Sequence, residues 1–295
     1  MKPFYAELSL FLVTFIWGGT FVFTKIGLDF TSPSVYILMR FSIAIFLCVI
    51  FFNKKLFKIQ NKTLINGLIL GLFFGGGFLL QTIGLKYTTV SKSAFITGIT
   101  VPLTPIVYYV VCRKKINKYS FWGVFVAMIG LWIFTNPDFD NINIGDVLTL
   151  FSTMFWAFYI TYMDVFTKKI ENRSITAQLV FLQFVASSII ALVYFVTFED
   201  SSWVVKFDNM LLISLAFNAV LASFFVTFIH TSIQRYTTPV KAALIFSLEP
   251  IVASSVAVIF LNETMSNTEI FGATLLFSAV IISELGTFLE KNGND

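Results

Sequence analysis

Tyr87-Thr88-Thr89-Val90-Ser91-Lys92-Ser93-Ala94 returns as Tyr236-Thr237-Thr238-Pro239-Val240-Lys241-Ala242-Ala243, 149 residues later. The spacing persists downstream, where Gly123 matches Gly272. Each copy opens a long apolar segment. An earlier echo, Phe15-Ile16-Trp17 against Met154-Phe155-Trp156, is offset by 139. Two halves that copy one apolar unit point to a polytopic membrane protein with internal repeats, a layout common among transporters.

Composition agrees. The 295 residues are 57% hydrophobic and 12% charged, about half the charge of a soluble domain. Mean hydropathy is +0.85. Such a chain cannot cover its surface with polar groups, so lipid must be its solvent. The 37 Phe are then lipid-facing or packing residues for the most part.

A membrane span needs about 20 apolar residues. Ten such segments are expected, at roughly 6–27, 34–52, 63–85, 92–111, 119–136, 145–165, 175–198, 210–230, 240–261 and 268–288. They are helices, because lipid leaves no partner for an open backbone. The runs are too long and too uniformly apolar for the strands of a barrel. No small-residue cleavage site follows the first segment, so it is expected to be retained.

Charge predicts orientation. Lys54, Lys55, Lys58 and Lys62 follow the second span, Arg113, Lys114, Lys115 and Lys118 the fourth, and Lys168, Lys169 and Arg173 the sixth. The acids Asp138, Asp140, Glu199, Asp200, Asp208, Glu263 and Glu269 fall on the other side. The positive-inside rule then places both termini in the cytoplasm. The basic loops are topology signals, and no nucleic-acid partner is expected. Five spans per half is an odd number, so the second half must enter inverted. The expected fold is an all-α membrane protein with ten transmembrane helices in an inverted five-plus-five repeat. Residues 1–136 form the first repeat, 137–144 an outer linker and 145–295 the second repeat. A central cavity is expected between the halves.

Cys48 and Cys112 lie near cytoplasmic span ends, where thiols stay reduced. With the single His230 they make no metal cluster, and no cofactor is expected. His230 reads as an interfacial or packing residue.

Further residues carry a resemblance. Ser93-Ala94-Phe95-Ile96-Thr97-Gly98, Pro102 or Pro105, the basic loop after them and the pair Gly123 and Gly130 resemble helices four and five of an EamA-type carrier. Ser247-Leu248-Glu249-Pro250, Leu261-Asn262-Glu263 and Gly272 resemble helices nine and ten. That family belongs to the drug/metabolite transporter superfamily. The resemblance covers nearly the whole chain and implies ten helices, inverted repeats and solute transport. It does not name the solute. The first copy has Lys114 where the second has Glu263, so the two helix ends are not interchangeable.

Candidate site residues are polar groups placed where lipid penalises them. Glu249 lies roughly 13 Å into span nine. A charge at the bilayer centre costs about 2.5–3.5 kcal/mol. Glu249 is thus a candidate proton-coupling group or ligand for a substrate amine; the alternative is a structural acid beside a Pro250 kink. Arg40, aligned with Gln183, is a candidate for a substrate carboxylate or for Glu249, unless it snorkels outward. Lys92 and Lys241 open helices, where the macrodipole disfavours a cation. They are candidate gates at opposite mouths, or flanking residues on lipid phosphates. Trp17 and Trp156 sit at mid-span, away from the interfacial belt, as candidate cavity walls. Gln81, Tyr159, Tyr162 and Asn218 are weaker candidates of the same kind. Gly67, Gly71 and Gly75 share a helix face and are read as packing residues.

No H-E-x-x-H, phosphate loop or dense acidic motif suggests an enzyme, and no nucleotide domain suggests a pump. No selectivity-filter sequence suggests a channel. The expectation is a secondary carrier for a small organic solute, an amino acid or related metabolite, in a bacterial cytoplasmic membrane. The alternatives are an uncoupled facilitator and an exchanger of an anionic metabolite; a membrane receptor or channel is the least favoured. Lipid is its surrounding partner, as a monomer or weak dimer.

Overall fold

The computed structural model describes residues 3–56, 58–135, 142–168, 170, 172–199, 205–261 and 266–292. Among them there is helix and no strand. The expected boundary at 136–141 and the acids Asp138, Asp140, Asp200 and Glu263 lie outside the described residues.

Ten helical segments follow in order. They are α1 (Pro3–Gly27), α2 (Pro33–Phe52), α3 (Asn61–Tyr87), α4 in two pieces (Val90–Gly98 and Thr100–Cys112), α5 (Lys118–Thr135), α6 (Ile144–Thr167), α7 (Arg173–Phe198), α8 (Asn209–Tyr236), α9 in two pieces (Pro239–Phe246 and Glu249–Leu261) and α10 (Asn267–Asn292). Eight of the ten segments are long and apolar enough to cross a membrane. The apolar stretches of α5 and α10 are shorter, Lys118–Phe134 and Asn267–Ser283.

The starts of these helices follow local chemistry. Asn143 accepts from Gly145 N and Asp146 N at 2.8 and 3.2 Å, while Asp146 accepts from Asn143 N at 3.0 Å, a reciprocal capping box for α6. Thr89 and Thr238, which occupy equivalent places in the repeat, cap α4 and α9 by accepting from Lys92 N and Lys241 N at 3.2 and 3.3 Å. Pro33 opens α2, where a missing N–H costs nothing.

Helices α3 and α7 pack through the glycine stripe. A Cβ at Gly67 would lie 2.5 Å from Leu182, at Gly71 2.4 Å from Ala186, and at Gly75 2.7 Å from the Ser187 backbone. Small residues are needed there because the helix backbones nearly touch. The main core runs between α1, α2, α3, α6, α7 and α8, with rings such as Phe41, Phe74 and Phe184 fully buried. Phe15, Phe46, Phe51 and Phe125 instead point outward, as lipid-facing side chains should.

The middle of α8 is wound as a π-helix over Ala216–Phe225, so that Val226 N bonds Leu221 O five residues back. This winding leaves the α8 carbonyls out of their α-helical register. One of them, Ala222 O, accepts from Trp17 Nε1 at 3.1 Å.

Candidate functional site

The two breaks inside α4 and α9 stand at equivalent points of the repeat. Ile99 ends one turn and Leu248 the other, 149 residues apart. Each break leaves a residue at the head of a second helical piece, Thr100 in α4 and Glu249 in α9. Broken helices of this kind are tolerated in a bundle where they border a cavity.

A cavity of ≈ 50 Å³ lies there, among α1, α3, α4, α6 and α9. By volume it holds about three or four waters. Trp17, Gln81, Trp156, Tyr159 and Glu249 all line it. The structure therefore brings together five residues singled out in the sequence from four separate helices. Thr100, Ser247, Phe78 and Phe246 complete the polar and aromatic wall.

The rings are held in fixed poses. Trp17 is tied to Ala222 O and packs on Phe246 with centroids 5.1 Å apart. Trp156 meets Phe78 edge to face at 4.8 Å. The Tyr159 hydroxyl donates to Gln183 Oε1 at 2.9 Å, and Gln81 Nε2 donates to Thr97 Oγ1 at 2.9 Å. Two groups in the wall are buried without a protein partner, Trp156 Nε1 and Thr100 Oγ1. Glu249 makes no hydrogen bond or ion pair among the described residues.

Other candidates sit elsewhere. Arg40 is 1% exposed, which rules out snorkelling to the surface. It is not paired with Glu249 among the described residues. Its Nε donates to Ser223 Oγ at 2.8 Å and its guanidinium lies 4.4 Å from the Phe78 centroid, on a ring that lines the cavity. Gln183 backs Tyr159 and does not line the cavity. Asn218 donates to the Tyr36 hydroxyl at 2.6 Å and to Thr24 at 3.2 Å, in a cluster of α1, α2 and α8. Tyr162 stacks on Phe73 and Phe166. His230 is fully buried against Trp17, Tyr159 and Phe246, so its place is packing behind the wall and not the interface.

The lysines find acids. Lys92 Nζ lies 2.7 Å from Asp146 Oδ2, and Lys241 Nζ lies 2.9 Å from Glu7 Oε1. These contacts answer the dipole problem at both helix starts. The constellations are copies of each other. Thr88 donates to Asp146 at 2.6 Å, and its equivalent Thr237 donates to Glu7 at 3.5 Å. The two acids are themselves 139 apart, the same shift that relates Trp17 to Trp156. Glu7 and Asp146 escaped the sequence reading because charges near span ends are cheap; the 139-residue shift was the signal that marked them.

The pairs occupy opposite ends of the bundle. Lys25, near the end of α1, donates to Leu85 O and Thr88 O at 2.7 and 2.9 Å, at the Lys92 end. Glu7 lies eighteen residues earlier on α1, about 27 Å away along the helix axis. Trp17 and the cavity fall between.

Comparison with known proteins supports a transport fold. An uncharacterised transporter of Archaeoglobus fulgidus is 32% identical over 97% of this chain and 87% of its own length. A probable amino-acid metabolite efflux pump of Salmonella typhimurium is 25% identical over 93% of each chain. One solved crystal structure superposes with a TM-score of 0.74 over 95% of this chain and 98% of that one, at 13% identity. The model of the EamA-like transporter family matches residues 4–136 and again 143–285, one copy for each half. This chain, a membrane protein of two such copies, belongs to the EamA-like transporter family.

Proposed function

We propose that this protein is a secondary carrier that moves a small organic solute, an amino acid or related metabolite, across a bacterial cytoplasmic membrane by alternating access. The observation that carries the reading is the exchanged pair of latches around one cavity. Lys92 of the first half binds Asp146 of the second, and Lys241 of the second half binds Glu7 of the first. Each latch ties the halves together at one end only. Releasing one opens one mouth while the other stays shut, and repeat equivalence makes the reverse move available. A cavity of ≈ 50 Å³ also needs one wall to move before an amino-acid-sized solute enters.

In this reading both termini are cytoplasmic, the ten helices all cross, and the Lys92 latch closes the outer mouth. Glu249 is the coupling group, since a carboxyl without a protein partner in the cavity wall is free to exchange a proton with the solute path. The Salmonella relative, named a probable amino-acid metabolite efflux pump, supports the solute class.

Uptake into proteoliposomes over a panel of amino acids and derived amines, with and without a pH gradient, tests the function. Saturable flux is the expected result. Flux that rises linearly with solute concentration would mark a channel instead.

A further inference from the structure

We propose that the cavity takes an organic cation: a protonated amine carried on an aromatic or bulky apolar body, without a free carboxylate. This rests on the carrier reading above and narrows its solute class.

Among the described residues Glu249 is the one charged side chain in the cavity wall, and none of them neutralises it. An ammonium group supplies the missing charge and donates to the carboxylate in a charge-assisted bond. Thr100, 7% exposed and with its hydroxyl unpartnered, offers the same ammonium further lone pairs. The rings of Trp17, Phe78, Trp156 and Tyr159 line the same wall, and aromatic faces attract cations.

A zwitterion fares worse because its carboxylate has no counterpart. Among the described residues no Lys, Arg or His lines the cavity. At the two breaks part of the backbone is already spent. Ile99 N is spent on Ile96 O and Leu248 N on Ile245 O, while Pro102 and Pro250 have no N–H to give. Arg40, the basic group packed on Phe78, is outside the cavity lining; its Nε bonds Ser223 while its Nη2 is unpartnered. The unpartnered donors in the wall are neutral, the Trp156 indole N–H and the Thr100 hydroxyl.

Binding separates these cases without relying on transport. The full-length protein in detergent at constant neutral pH is titrated with phenethylamine, phenylalanine and 3-phenylpropionate, which share one ring and differ only in charge. Phenethylamine is expected to bind about tenfold or more tightly than either carboxylate, and Glu249→Gln to lose about tenfold of that affinity. Glu249→Asp, which keeps the charge, retains the preference and guards against a folding defect in the amide variant. Equal or tighter binding of phenylalanine, above all if lost in Arg40→Gln, overturns the assignment. So does a Glu249→Gln protein that binds phenethylamine like the parent, or a parent that binds none of the three. Proteoliposomes then separate the two readings. Phenethylamine binding without flux of any solute keeps the assignment and refutes the carrier. Phenylalanine flux with no phenethylamine binding keeps the carrier and refutes the assignment.

Discussion

The two ends of the bundle carry the same Thr-Thr-x-x-Lys start and the same lysine–acid contact, yet they are not equally secure. At the Lys92 end, Asp146 is held by Lys92, by the Thr88 hydroxyl at 2.6 Å and by Asn143 N at 3.0 Å. At the Lys241 end, Glu7 has Lys241 at 2.9 Å and only a stretched Thr237 contact at 3.5 Å. The second pair is also drier on the lysine side, with side-chain exposures of 7% and 24% for Lys241 and Lys92. The difference teaches that repeat equivalence copies the partners and not their energies. One acid survives the loss of its lysine with two bonds intact, and the other is left almost alone in a buried place.

The largest effect is expected away from both ends. Glu249→Gln should abolish pH-driven accumulation in proteoliposomes while leaving both latches shut. Accessibility is read with Ser247→Cys, a cavity residue, after Cys48 and Cys112 have been replaced. Unchanged pH-driven uptake in the amide variant would remove Glu249 from coupling. A new labelling bias would mean that the carboxyl also sets the latches.

Lys241→Ala comes next. Stranding a buried partner costs about 3–5 kcal/mol in a dry site, so the state that needs this contact should be depopulated by at least tenfold. Labelling of Ser247→Cys should rise from the Lys241 side. Adding Glu7→Gln removes the stranded charge and should recover much of the closed state. If the double variant labels no less than the single one, the burden of an unpaired Glu7 is not the cause.

Lys92→Ala should act in the same way from the opposite side but more weakly, by about 1–2 kcal/mol, because its pair is partly exposed and Asp146 keeps other donors. Equal effects at the two ends would break the comparison. Parental behaviour in both variants would leave the lysines as flanking residues only.

The smallest effect, on function at least, belongs to topology. Lys206 N bonds Phe30 O at the Lys92 end, whereas Lys62 lies at the start of α3, the far end from Tyr87. Lys206→Cys in intact cells should react with an impermeant thiol reagent, and Lys62→Cys should not. The reverse pattern would exchange the names inner and outer for the two latches and leave their inequality standing.

Much of this was legible in the chain. The cavity residues Trp17, Trp156 and Glu249 stand out because mid-span polar groups are expensive in lipid, and cost narrows the choice. Arg40 shows where that logic stops. Lipid penalises it equally, but Arg40 lies outside the wall, on Phe78 and Ser223 with its Nη2 unpartnered, and no sequence rule places a mid-span cation inside or outside a cavity. His230 shows a choice that the chain left open. The sequence left it as an interfacial or packing residue, and three rings from α1, α6 and α9 enclose it, which is packing.

What the sequence by itself determined is the membrane class, the ten apolar segments, the helical backbone and the twofold copying. These follow from local quantities: the length and apolarity of each run, and the impossibility of unpaired backbone in lipid. What only the tertiary structure decided is which polar groups meet. Lys92 finds Asp146 across 54 positions and Lys241 finds Glu7 across 234, because helices far apart in sequence lie side by side. The burial that makes one of these contacts dry and the other wet is a property of the assembled bundle, and no single segment carries it.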